Sequence, residues 1–282
     1  MRTKKSVGFV GSAVLVAALL ASCAARDEPA APASPATRTQ TQRPAAAAVA
    51  EPTLHLVRSS GSVRGPIPYL TVEPADAGPK TPLILALHGR GSRAESFARF
   101  VEGLRIPARF IVARAPLPWG QTGGRQWFGA RRSAPFEGIE QRVEDLGILL
   151  GQLAERYPAT PKVIVLGFSQ GAILAMELVA ASPERLLGVV ALSGALPVAG
   201  TGQKAERPVP MLLTAGEHDG IIPPEATEAA AERLRGLGHT PEVYRFDGAH
   251  SIPRDVVKRV RTFVLELGTG APKATPSAQV LR

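Results

Sequence analysis

Ser169 stands in Gly167-Phe168-Ser169-Gln170-Gly171, at the point where an apolar strand pattern, Val163 to Leu166, gives way to a helical one starting near Ala172. Gly-X-Ser-X-Gly alone is a weak signal, but a strand-turn-helix setting gives it a mechanism. The turn holds the serine in a strained conformation with its hydroxyl exposed, and the flanking glycines leave room for the neighbouring strand and helix. A serine hydroxyl attacks at neutral pH only when a base takes its proton. Three histidines follow it, His218, His239 and His250. His250 comes directly after a strand pattern, Glu242 to Phe246, and before the last helical run, which puts it in a loop at the carboxyl edge of a sheet. His239 precedes that strand, at the opposite edge, and reads as a surface turn residue. His218 reads as a residue of the pocket rim.

The base needs a carboxylate that orients it and stabilises its charge. Glu217 and Asp219 both follow the strand Met211 to Thr214. Asp219 is the predicted partner, because it lies further along the loop towards the histidine. The order Ser169, Asp219, His250 is that of α/β-hydrolases. Leu87-His88-Gly89-Arg90-Gly91 follows another buried strand pattern, Leu83 to Leu87, where backbone N–H groups can meet the oxygen that becomes negative during acyl transfer. The expected donors are the N–H groups of Arg90 and Gln170, with His88 orienting the loop. Trp127, Phe128 and Phe136 are candidates for an apolar substrate wall, the alternative being loop packing over the sheet.

The elements that must position these groups alternate along residues 53–268. Further strand patterns run over Leu54 to Arg58, Ile67 to Val72, Phe110 to Ala113 and Leu187 to Leu192. Helical patterns run over Ile139 to Arg156, Gly171 to Ala181, Pro224 to Leu237 and Arg254 to Leu267, the first placing Val143, Leu146, Leu150 and Leu153 on one face. Strand followed by helix, repeated, predicts an α/β fold with a mostly parallel central sheet flanked by helices.

Together, Gly167-Phe168-Ser169-Gln170-Gly171-Ala172, His88-Gly89-Arg90-Gly91, Trp127-Phe128, Gly216-Glu217-His218-Asp219 with Ile222-Pro223, and Gly248-Ala249-His250 resemble the phospholipase/carboxylesterase family, which includes acyl-protein thioesterases. The resemblance spans roughly residues 80–265. It implies an α/β-hydrolase fold and a cofactor-free serine hydrolase of carboxylic esters or thioesters, working through an acyl-enzyme. Family members often carry a hydrophobic residue where Arg90 stands and acidic ones where Ser92 and Gly129 stand, so substrate preference does not transfer. Larger feruloyl or polyester substrates are the alternative within enzymes, and a non-catalytic binding lipoprotein is the alternative outside them.

The ends of the chain read differently. Arg2, Lys4 and Lys5 precede an apolar run from Val7 to Ala21 too short to span a bilayer, then Leu20-Ala21-Ser22-Cys23. Residues 1–22 therefore read as a lipoprotein signal peptide that resembles the bacterial lipobox, with Cys23 the acylated residue. Ala24 after it favours an outer-membrane anchor, or the periplasmic face, in a Gram-negative cell. Residues 23–52 are an Ala/Pro-rich linker and 269–282 a disordered tail in this reading. The 282 residues contain one cysteine, so no intrachain disulfide can form. The formal charge of +9 falls by three with the leader, to +6. The remaining Lys and Arg are scattered, with no basic stripe interleaved with aromatics, so no nucleic acid partner is expected, and no metal. A small ester and, through Cys23, a membrane are the expected partners.

Overall fold

A computed structural model describes residues 56–61, 67–130, 133–197 and 204–269. The expected signal peptide, Cys23, the expected linker and all of the expected tail but Thr269 lie outside them. Ten strands and five α-helices are described: β1 Leu56–Gly61, β2 Tyr69–Pro74, β3 Leu83–Leu87, α1 Ala94–Gly103, β4 Arg109–Ala113, β5 Leu117–Trp119, β6 Gly124–Gln126, α2 Ile139–Arg156, β7 Val163–Phe168, α3 Gln170–Ala181, β8 Leu186–Leu192, β9 Pro210–Gly216, α4 Pro224–Gly236, β10 Thr240–Phe246 and α5 Arg254–Thr269.

Eight strands form one sheet in the order β1-β2-β4-β3-β7-β8-β9-β10, with β5 and β6 a separate hairpin. β1, β2 and β4 pair antiparallel, and every pairing from β4 to β10 is parallel. Parallel strands need long crossovers, and helices supply them. The central strands are buried on both faces, which is why β3 and β4 are continuous apolar runs with no polar alternation. Within β3, Leu83, Leu85 and Leu87 face one core and Ile84 and Ala86 the other. The first core is completed by Leu146, Leu150 and Leu153 of α2, by α3, and by Ala231 and Leu234 of α4. The second is completed by Phe97 and Val101 of α1 and by Val256, Val260 and Phe263 of α5. Three layers result, with α2, α3 and α4 on one side and α1 and α5 on the other.

The parallel strands and four of the helices lie within a few residues of their sequence patterns. α1 is an addition to the expected elements, although its Ala94, Phe97, Ala98 and Val101 follow helical spacing and are buried. The β5–β6 hairpin is another, its three-residue strands being too short to carry a periodic signal. Among the described residues no helix is long and apolar enough to cross a membrane, and no cluster of three or more His, Cys, Asp or Glu is placed to hold a metal.

Glu177 on α3 is a cost built into this packing. Burial, with the Glu140 charge adding and Arg233 opposing, pushes its carboxyl up to about 7, and its Oε1 has no partner among the described residues. The unfolded chain releases this proton near 4.5, so stability falls as pH rises from there through about 7. Glu177→Gln should therefore gain about 1–3 kcal/mol at pH 8 and little at pH 5. Urea unfolding at the two pH values checks this, and an equal gain at both contradicts it.

Candidate active site

Ser169 sits between β7 and α3 with φ 54° and ψ −118°. This positive φ is costly for a residue with a Cβ, and the surrounding backbone enforces it. A Cβ on Gly167 would lie 2.1 Å from the Gly171 carbonyl oxygen, and one on Gly171 would lie 2.1 Å from the Leu87 oxygen. Only glycine lets the strand, the turn and β3 approach so closely. The Ser169 N–H donates to the Leu192 carbonyl of β8 at 2.9 Å, which ties the turn to the next strand. The two N–H groups that open α3 after Ser169 have no acceptor one turn back in their own helix.

Asp219 and His250 meet because two loops pack backbone to backbone. The His218 N–H donates to the Gly248 oxygen at 3.0 Å and that of Glu217 to the Phe246 oxygen at 3.0 Å. Gly216 has no Cβ to obstruct the Gly248 and Ala249 carbonyls, which a Cβ there would meet at 2.6 and 2.7 Å. His250 Nδ1 lies 2.7 Å from Asp219 Oδ2. A carboxylate accepts, so Nδ1 carries the proton and Nε2 is left with its lone pair. The other oxygen, Oδ1, accepts the N–H groups of Ile221 and Ile222, each at 2.9 Å. Burial pushes the Asp219 carboxyl up, but the bonds from His250, Ile222 and Ile221 outweigh it and hold the group below its ordinary value. Asp219 is thus an anion at neutral pH with its side chain wholly buried.

The Phe168 ring packs on the His250 ring, centroids 4.8 Å apart, which seats the imidazole beside the turn that carries Ser169. The two rival groups are occupied elsewhere. Glu217 lies 3.6 Å from Arg245 at the surface, and the exposed His218 pairs with Asp247 at 3.0 Å. His239 differs from its reading as a surface turn residue: it does lie at the opposite edge, but it is buried, and its Nδ1 accepts the Val209 N–H at 3.3 Å. A backbone donor at the start of β9 holds it inside, where burial lowers its pKa.

The loop after β3 reaches the same place. A Cβ on Gly89 would lie 3.3 Å from Ser169 Cβ, and Arg90 follows directly. His88 holds this loop: its Nδ1–H donates to the Gly89 oxygen at 2.8 Å and its Nε2 accepts the Ala115 N–H at 3.3 Å. Burial lowers its pKa, so it stays neutral. The hairpin clamps the other end, with Gly91 N–H donating to Arg125 O at 2.8 Å and Arg125 N–H to Ser92 O at 2.9 Å.

Trp127 and Phe128 have no exposed surface. The Trp127 indole N–H donates to the His88 oxygen at 2.8 Å, so the residue supports the loop from beneath rather than walling an open pocket. Phe128 packs 6.0 Å from Phe136, which is partly buried against the same core. The Gln170 side chain was missed in the sequence. Its Oε1 accepts the Trp127 N–H and its Nε2 donates to the Phe128 oxygen, both at 3.0 Å. No local pattern links residues 43 apart; only the fold reveals the pairing.

A three-layer sheet of this order, with a strained serine after one strand and a carboxylate and histidine in loops after the last two, defines an α/β-hydrolase. The phospholipase/carboxylesterase family model matches residues 69–267, and the chain belongs to that family of ester hydrolases. It is 25% identical over 214 residues to acyl-protein thioesterase 1 of Gibberella zeae, covering 67% of this chain and 91% of the relative. Among solved structures it is similar to esterase PE8 at 26% identity and a TM-score of 0.60, over 72% of this chain and 98% of that one. A carboxylesterase from Mesorhizobium loti, at 19% identity, TM-score 0.65 and 73% and 98% coverage, shares the fold.

Proposed function

We propose that the chain hydrolyses carboxylic esters or thioesters of small molecules through an acyl-enzyme on Ser169. The observation that carries this reading is the Asp219–His250 bond, which leaves a basic Nε2 on an imidazole packed beside the serine turn. Nε2 takes the Ser169 proton as Oγ attacks the substrate carbonyl carbon. The carbonyl oxygen becomes an anion, met by the backbone N–H groups of Arg90 and Gln170. The tetrahedral adduct collapses, the C–O or C–S bond to the leaving group breaks, and imidazolium returns its proton to that group. Water then repeats the sequence on the acyl-serine, releasing the acid. Asp219 stays ionised throughout and stabilises the imidazolium.

Residues 1–23 support a second part of the proposal. A basic start, a short apolar run and Leu20-Ala21-Ser22-Cys23 favour export and acylation of Cys23, which would hold the enzyme on a membrane outside the cytoplasm.

A fluorophosphonate tests the catalytic part, because only an activated serine displaces its fluoride. Hydrolysis of 4-nitrophenyl butyrate should fall in proportion to label bound and reach zero at one label per chain. Full activity after complete labelling contradicts the proposal.

A further inference from the structure

The edge of the sheet opposite Ser169 holds a cleft of about 350 Å³ between the β2–β3 loop and the end of α2. Its walls include Ala77, Pro79 and Pro158, and the Tyr157 ring, all apolar surface. Arg109 and Arg156 also line it, so the cleft joins apolar walls to two guanidinium groups. Both cations are oriented by fixed contacts. Arg109 Nε donates to Glu73, and its guanidinium carbon stacks 4.4 Å from the Tyr157 ring centroid. Arg156 Nη1 donates to the Tyr69 hydroxyl at 3.4 Å, with its guanidinium carbon 5.6 Å from the same ring.

Glu73 is bonded to Arg109 through Nε, and that bond leaves Arg109 Nη1 without an acceptor among the described residues. The Arg109 side chain is 8% exposed, and its Nη1 is buried with no hydrogen-bond partner among the described residues. A buried guanidinium N–H without an acceptor is uncommon, because the group has lost its water and gained nothing in exchange. None of these residues serves the chemistry at Ser169. Arg109 begins β4 and Arg156 ends α2, whereas Ser169, Asp219 and His250 follow strand ends at the other edge.

We propose that this cleft is a binding site for a small organic carboxylate. The carboxylate would pair with the exposed Arg156 guanidinium, a planar match of the kind guanidinium groups make, with the Arg109 cation adding its charge beside it. The apolar body would lie against Tyr157 and the prolines. These walls favour an aryl or alkyl acid over a bare inorganic anion, which would leave them in water.

Calorimetric titration of the full chain with benzoate, and separately with inorganic phosphate at matched ionic strength, tests the site. Benzoate should saturate at one per chain, and Arg156→Gln should weaken it at least about tenfold, the loss of one charged hydrogen-bonding partner. Arg156→Gln should leave kcat/KM for 4-nitrophenyl butyrate unchanged. That separates this cleft from benzoate held at Ser169, which the substitution would not weaken. Arg109→Gln, confirmed folded by circular dichroism, should weaken binding similarly; if it does not fold, Arg156→Gln decides alone. No saturable benzoate binding, or binding unaltered in Arg156→Gln, overturns the proposal. Phosphate binding as tightly as benzoate overturns its organic part.

Discussion

Ser169→Ala should lower ester hydrolysis by about 10⁴-fold to 10⁶-fold, because in the proposed mechanism the hydroxyl forms the covalent bond to the acyl group. The fold should be unaffected. The side chain is small, and the strained turn is enforced by the close approaches at Gly167 and Gly171, not by the hydroxyl. Alanine keeps the Cβ and so keeps the strain at φ 54°. Steady-state turnover of 4-nitrophenyl butyrate, with a urea midpoint to verify stability, reads both effects. Retention of more than about a hundredth of the wild-type rate means another group performs the attack.

Asp219→Asn should cost about 10³-fold to 10⁴-fold in turnover, and the geometry says why an isosteric change does so much. Oδ1 is fixed as an acceptor by the N–H groups of Ile221 and Ile222. The amide oxygen of an asparagine must therefore take that place, which turns its NH₂ towards His250. A donor facing Nδ1 forces the imidazole proton onto Nε2, and the nitrogen that should accept the Ser169 proton then carries one of its own. Glu217→Gln should change turnover less than about threefold, since Glu217 faces Arg245 at the surface and exposed pairs contribute little. Measuring both variants on one aryl ester decides. A near-silent Asp219→Asn beside a disabled Glu217→Gln reverses the assignment, and equal large losses mean that the two carboxylates act as one network.

The parallel strands were legible because burial on both faces demands unbroken apolar runs, as in Leu83 to Leu87. The positions of Ser169, Asp219 and His250 at strand ends followed from those runs, and the structure brings Asp219 and His250 into contact. What escaped were interactions that no local period encodes. Gln170 gripping Trp127 and Phe128 joins residues that share no element, and so does the hairpin clamping Gly91 through Arg125. The burial of His239 escaped for a related reason. Its neighbours in sequence are turn formers, and only the tertiary partner at Val209 shows why an imidazole is buried there. Trp127 and Phe128 read as loop packing or as a substrate wall, and their burial together with the bond from the indole to the His88 oxygen favours packing.

Ser169 is the one activated nucleophile in the proposed mechanism, and the most direct measurement is the position of the phosphonyl group after fluorophosphonate treatment. Digestion and fragment mass spectrometry of the labelled chain should place the added mass on Ser169 alone, and Asp219→Asn should slow its addition by orders of magnitude. Label on any other residue while hydrolysis is lost, or an unlabelled Ser169 in fully inhibited enzyme, would contradict it.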